Sequence, residues 1–141
     1  MPDARRKRPT EIADKFAERF RALDADVLAD VEREVTGAVY GMSGYTTLAQ
    51  ADALAAAVRL RQGMRVLDLG AGAGWPGLYL AEKTSCDVVL SDLPADGIRR
   101  AAAAAAQRQV AERCRFLRAS ADALPFASRT FDAVVHTDVL C

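Results

Sequence analysis

Apolar residues in the first third of the chain recur at helical spacing. Ile12, Phe16, Phe20, Leu23, Val27, Val31 and Val35 follow one another at steps of four or three, which traces one face of an α-helix. The intervening polar face carries both signs of charge, which predicts packing on the rest of the chain rather than on a membrane. Asp24 and Asp26 are candidate breakpoints into two helices, and Gly37 is a candidate stop. A loop with two glycines, Val39 to Thr47, comes next. Thr47 and Gln50 have the spacing of a capping box, each side chain satisfying a free N–H of the other's backbone. They predict a helix from Leu48 to about Arg61, with Leu48, Ala51, Ala55 and Val58 on one face and Gly63 as its end.

From Met64 onward the period changes. Met64–Leu69 reads as a short buried strand, followed by a glycine-rich turn and a helix from about Pro76 to Glu82. Cys86–Ser91 is a second strand. Asp96 is placed to cap a helix that runs through the alanine block Ala101–Ala106 to about Ala111, since alanine has the highest helix propensity. Arg115–Leu117 is a third strand and Phe131–Val135 a fourth, after a turn at Ser128–Thr130. Strands alternating with helices predict an α/β fold: a parallel sheet with right-handed crossovers.

Composition narrows the partners. The 141 residues, 51% hydrophobic and 27% charged, suffice for about one globular domain. Nineteen basic residues balance nineteen acidic ones, so there is no general attraction to nucleic acid or an anionic membrane. Cys86, Cys114 and Cys141 are far apart and His136 is the only histidine. That pattern gives neither a metal knuckle nor a disulfide framework and predicts reduced core thiols in a cytoplasmic protein. No apolar run approaches a bilayer span. The run Arg5-Arg6-Lys7-Arg8 leads into Pro9-Thr10-Glu11 rather than an apolar segment, so residues 1–9 read as a flexible basic terminus and not a secretory signal.

The densest chemical signal is Val66-Leu67-Asp68-Leu69-Gly70-Ala71-Gly72-Ala73-Gly74-Trp75-Pro76-Gly77, a strand, a glycine turn and a helix start. Glycines let the backbone turn tightly and let a ligand approach where a Cβ would clash. Pro76 suits a first helical turn, whose free N–H groups can hold an anionic or polar ligand. Gly72-x-Gly74-x-x-Gly77 satisfies the dinucleotide fingerprint, and Asp92 stands about 20 residues on, where a ribose-binding acid is expected. Any adenosine cofactor presents that ribose diol. Three features favour a different ligand. Asp68 precedes Gly70 by two residues, and a carboxylate there is awkward beside a pyrophosphate but useful near a cation such as S-adenosylmethionine, which carries a sulfonium and an ammonium. Asp122, in Ala121–Phe126, can accept a hydrogen bond from an adenine amino group. The fourth strand and its exit read Phe131-Asp132-Ala133-Val134-Val135-His136.

With these pieces in this order, the segment from Met64 to Cys141 resembles the front half of a class I S-adenosylmethionine-dependent methyltransferase. The resemblance implies a Rossmann-like sheet and S-adenosylmethionine as cofactor. It places Asp68, Gly70, Ala71, Gly72 and Gly74 in the family's glycine motif and Asp92 on the ribose. Leu93 would pack on the adenine, and Asp122 and Ala123 would lie at the adenine edge. Phe131–His136 match the fourth-strand motif, with His136 on the cofactor side. Gly44-Tyr45-Thr46-Thr47 resembles a segment of small-molecule members that closes over the methionine end, which places Tyr45 and Thr46 there. No residue is assigned as catalytic and none to a metal. His136 is the one candidate general base, and Trp75 either stacks on the ligand or packs in the core. The implied mechanism is in-line methyl transfer by proximity and orientation.

The family's seven strands run 3-2-1-4-5-7-6. This chain is expected to have strand order 3-2-1-4, with strands 5–7 missing, a helical cap over residues 10–63 and a partial cofactor domain over 64–141. The expectation is therefore a truncated product or a fragment with impaired turnover, self-associating through an open fourth-strand edge. The exit His136-Thr137-Asp138-Val139 lacks the Asn/Asp-Pro-Pro-aromatic motif of amino-methylating nucleic-acid enzymes, and there is no Pro-Cys pair for cytosine attack. The expected substrate is a small molecule, with no nucleic-acid or membrane partner. The alternatives are an NAD(P)-binding oxidoreductase domain and a non-catalytic S-adenosylmethionine-binding or interaction module.

Overall fold

The computed structural model describes residues 25–36, 39–40 and 44–139, together with Glu11, Asp14, Lys15 and Glu18, which are helical. The basic run at residues 5–8, the apolar positions Ile12, Phe16, Phe20 and Leu23, the break at Asp24, the stop at Gly37 and Cys141 lie outside the described residues.

Four parallel strands form one sheet: β1 (Arg65–Leu69), β2 (Asp87–Asp92), β3 (Cys114–Arg118) and β4 (Ala133–Val135), in the order β3-β2-β1-β4. Val66 is level with Val88 and Ala133, and Leu90 with Phe116. The helices are α1 (Ala25–Thr36), α2 (Leu48–Val58), α3 (Gly77–Thr84) and α4 (Ala95–Gln107). Side chains alternate across a strand, and Val66, Val88, Leu90, Cys114 and Val135 form one core cluster with Leu78, Leu80 and Ala81 of α3 and Ala101 and Ala105 of α4. The two alanines, one helical turn apart, let α4 lie close on the sheet. Burial of this layer stabilises the fold by about 25 cal/mol per Å² of apolar surface removed from water. At β4 the contrast is sharp: Val135 is 2% exposed and its neighbour Val134 is 56% exposed, so the helices cover one face of this strand and the other meets solvent.

Several boundaries differ from the expectation. Helix α2 stops at Val58, short of Gly63, because Arg59 turns left-handed (φ 55°) and donates its N–H back to the carbonyls of Ala55 and Ala56. Gly63 (φ 86°) instead serves the turn into β1. Pro94, not Asp96, stands at the N-cap of α4; Asp96 lies in its first turn and pairs with Arg99. That helix ends at Gln107 rather than near Ala111, since Gln109 is left-handed (φ 60°) and the chain drops Val110 into the core before a 3₁₀ turn at Ala111–Arg113.

The expected packing of the N-terminal apolar stripe on the chain is overturned for the described residues. Val27, Leu28, Val31 and Val35 of α1 are all exposed, Val35 at 77%. The helix is tied instead by its polar side, where Glu32 accepts the Tyr40 N–H. Helix α2, by contrast, is well anchored. Tyr40 and Ala51 pack with Trp75, and the Trp75 and Tyr79 rings lie 5.4 and 5.2 Å from that of Tyr40. Asp52 of α2 accepts from both Tyr79 and Lys83 of α3. Arg108 sits 3.8 Å over the Tyr40 ring, pairs with Glu82 and donates to the Val39 carbonyl. Among the described residues no helix is long and apolar enough to cross a membrane.

Candidate functional site

In a parallel sheet all strands end at one edge. Here that edge carries the turn after β1 (Gly70–Gly74), Asp92 and Leu93 after β2, the turn after β3 that holds Asp122, and His136–Val139 after β4. Strands β2 and β3 lie to one side of β1, and β4 to the other. The order reverses at β1, and the crevice at the carboxyl ends around such a switch point is where open α/β sheets bind ligands.

Gly70, Gly72 and Gly74 have φ of 75°, 55° and 120°, left-handed conformations that residues with a Cβ resist. The turn is pinned to β2: the N–H groups of Gly70 and Ala71 donate to the Ser91 carbonyl at 2.8 and 3.1 Å. A Cβ on Gly70 would lie 2.4 Å from a Val139 methyl, and one on Gly74 would lie 2.5 Å from Leu78 Cδ1.

Two carboxylates brace this turn. Asp92 Oδ2 accepts the Gly72 N–H at 2.7 Å, and its Oδ1 accepts its own neighbour's N–H, that of Leu93, at 2.7 Å. Partial burial raises the Asp92 pKa, while the two N–H groups oppose that rise. Asp68 is buried behind the turn. Its Oδ2 accepts the Gly77 N–H at 2.8 Å, and its Oδ1 has no protein partner. Burial pushes the Asp68 carboxyl up to about 8; the Gly77 N–H pulls it down and the nearby Asp92 charge adds to the rise. The Gly77 N–H at the start of α3 is thus taken by Asp68, not left for a ligand.

Asp68, Gly70, Ala71, Gly72, Gly74, Asp92 and Leu93 therefore form one hydrogen-bonded region. Asp122, which accepts from the Ser120 hydroxyl, and Ala123 and His136 stand exposed on the same edge. Thr46 and Tyr45 reach the edge from far upstream. The Trp75 indole N–H donates to the Thr46 carbonyl at 3.0 Å while its ring packs with Tyr40 and Tyr79. Of the two roles expected for Trp75, the core one is observed. Asp138 accepts from the backbone of both Tyr45 and Thr46. Sequence reasoning missed Asp138 and Val139, and no local pattern marks them: their partners are Tyr45, Thr46 and Gly70, distant in the chain.

Among the described residues no group of three or more His, Cys, Asp or Glu is placed to hold a metal ion. Cys86 and Cys114 are buried free thiols. Burial raises both, Cys114 to about 11.

Comparison with known proteins agrees with this fold. Residues 66–141 match the model of a family described as methyltransferase domain. A solved S-adenosylmethionine-dependent methyltransferase from Geobacter sulfurreducens, in complex with S-adenosyl-L-homocysteine, is 24% identical with a TM-score of 0.63, over 74% of this chain and 42% of that one. The YcgJ protein from Bacillus subtilis is 28% identical with a TM-score of 0.57, over 61% of this chain and 36% of that one. The [4+2]-cyclase SpnF is 25% identical with a TM-score of 0.58, over 77% and 45%. The chain spans less than half the length of each of these three structures. A search of curated protein sequences returns no match. The matched segment holds β1 to β4 and the braced glycine turn, and the chain belongs to the methyltransferase domain family.

Proposed function

We propose that this chain binds S-adenosylmethionine at the carboxyl edge of its sheet, as the cofactor-binding part of an enzyme that methylates a small molecule. The observation that carries the reading is the pair of carboxylates on the glycine turn. Asp92, held against Gly72, is placed to accept from a ribose diol. Asp68, buried behind the turn, takes the Gly77 N–H, a donor at the start of α3 that a pyrophosphate would otherwise use. The left-handed glycines make the tight turn, with Val139 and Leu78 close against Gly70 and Gly74. In this reading Leu93 packs on the adenine, Asp122 and Ala123 contact its edge, and Tyr45 and Thr46 stand at the methionine end. The relative from Geobacter sulfurreducens, solved with S-adenosyl-L-homocysteine, supports the choice of ligand.

S-adenosylmethionine supplies an already activated methyl group, so the task of this chain is binding and orientation. Of the residues on the edge, His136 is the imidazole available to accept a proton. In this reading residues from 64 onward are the cofactor domain, and α2, packed on Trp75 and Tyr79, belongs to a cap over it. The balanced charge favours a small-molecule acceptor over nucleic acid or a membrane. The buried thiols suit a reducing, cytoplasmic setting. A second reading, a cofactor-binding module with other chemistry or none, is favoured by the likeness to SpnF, since one fold hosts many reactions.

Titration calorimetry of the chain with S-adenosylhomocysteine and with NADH tests the proposal. Saturable binding of the first alone supports it. Binding of NADH alone would instead identify a nicotinamide-cofactor domain.

A further inference from the structure

We propose that Asp138 is a positioning residue that holds the Tyr45–Thr46 segment against the glycine turn, so that this wall of the cleft is built before any ligand binds. The inference rests on the cofactor reading above. A single oxygen, Asp138 Oδ2, accepts three hydrogen bonds: from the Tyr45 N–H at 3.0 Å, the Thr46 N–H at 3.2 Å and the Thr46 hydroxyl at 3.1 Å. From the opposite side the Trp75 indole N–H holds the Thr46 carbonyl at 3.0 Å. Thr46 thus has its N–H, its carbonyl and its hydroxyl all engaged by residues distant in the chain. Trp75 is in turn fixed by its packing with Tyr40 and Tyr79.

Two neighbours are shaped to this arrangement. A Cβ on Gly44 would lie 2.2 Å from Asp138 Oδ2, so a glycine there leaves room for the carboxylate. Val139, next to Asp138, rests its methyls on Gly70 of the glycine turn. The exit of β4 therefore touches the glycine turn with one residue and the Tyr45–Thr46 segment with the residue before it. Asp138 itself is left-handed (φ 57°), a conformation aspartate tolerates better than most residues. Tyr45 is 91% exposed: its backbone is held while its side chain stays open to solvent. A wall ordered in advance spares the ligand the cost of ordering it.

Amide hydrogen exchange of the full chain without ligand reads the contact directly, and S-adenosylhomocysteine affinity reads its consequence. In Asp138→Ala the amides of Tyr45 and Thr46 should exchange about tenfold faster or more, with β1 and α3 unchanged, and the dissociation constant should rise about tenfold. Asp138→Asn keeps an acceptor oxygen and should recover part of both effects. Exchange at Tyr45 and Thr46 that is the same in wild type and Asp138→Ala would overturn the contact. Faster exchange with unchanged affinity would overturn the positioning role. Failure of the wild type to bind S-adenosylhomocysteine would sink the cofactor reading and the positioning role that rests on it, while the exchange measurement would still decide whether Asp138 holds the segment.

Discussion

The Asp68 carboxylate and the Gly77 backbone are fitted to each other. Asp68 Oδ2 accepts the Gly77 N–H at 2.8 Å, and a Cβ on Gly77 would stand 2.5 Å from that same oxygen and 3.1 Å from Leu90 Cδ2. The glycine is required by the carboxylate behind it. Gly77→Ala should therefore destabilise the fold by about 1–3 kcal/mol, as overpacked sites do. Urea denaturation followed by circular dichroism checks this; a change below about 0.5 kcal/mol would show that the start of α3 moves freely away from β1.

The same carboxyl should leave a pH signature. A carboxyl raised to about 8 in the folded chain binds its proton more tightly there than when unfolded, where it titrates near pH 4. Its contribution favours the fold at low pH and is lost as pH rises from about 4 to about 8. Asp68→Asn stays neutral throughout. The melting temperature of this variant relative to wild type should climb between pH 5 and pH 8 and level off above. A gap that does not change with pH would mean that the carboxyl titrates normally.

Removing the Asp92 side chain frees the Gly72 and Leu93 N–H groups and, in the proposed function, the ribose partner. Asp92→Ala should weaken S-adenosylhomocysteine binding about ten- to a hundredfold, the range for losing hydrogen bonds to a charged group. Calorimetry against wild type measures it. Affinity within a factor of two would place the ribose elsewhere.

The packing of Tyr40 and α2 on α3 should depend on Arg108 more than on Lys83. Arg108 combines the face of Tyr40, the Val39 carbonyl and Glu82, and its side chain is 18% exposed. The Lys83–Asp52 pair is 45% and 41% exposed. Arg108→Ala should cost about 1–2 kcal/mol and Lys83→Ala less than about 1 kcal/mol, both read from chemical denaturation. The reverse order would show that this packing hangs on the Asp52 side.

Local signals carried most of the sheet. The change from a period near four to short apolar strands, and the glycines beside Asp68, are contiguous in sequence, and a parallel sheet with right-handed crossovers follows from them; the order β3-β2-β1-β4 was implied by the resemblance to class I methyltransferases. The capping box at Thr47 and Gln50 was legible for the same reason, and both its hydrogen bonds are present. Helix ends were less legible, because Arg59 and Gln109 adopt left-handed conformations that composition does not announce. The contacts of Asp138 with Tyr45 and Thr46 join residues 93 and 92 positions apart, and only the closed fold brings them together. The apolar stripe of α1 shows the opposite failure: its periodicity gave a helix correctly, but periodicity says nothing of what covers the stripe, and Val27, Val31 and Val35 face solvent.

The most direct test of a cofactor seated on the glycine turn is ¹H–¹⁵N NMR of the chain titrated with S-adenosylhomocysteine. The account predicts the largest shifts at Gly70, Gly72, Gly74, Asp92, Leu93, Asp122 and Ala123, and little change at Arg65, Asp87 and Arg115 at the opposite edge of the sheet. Shifts centred on Arg65, Asp87 and Arg115, with the glycine turn unmoved, would contradict it.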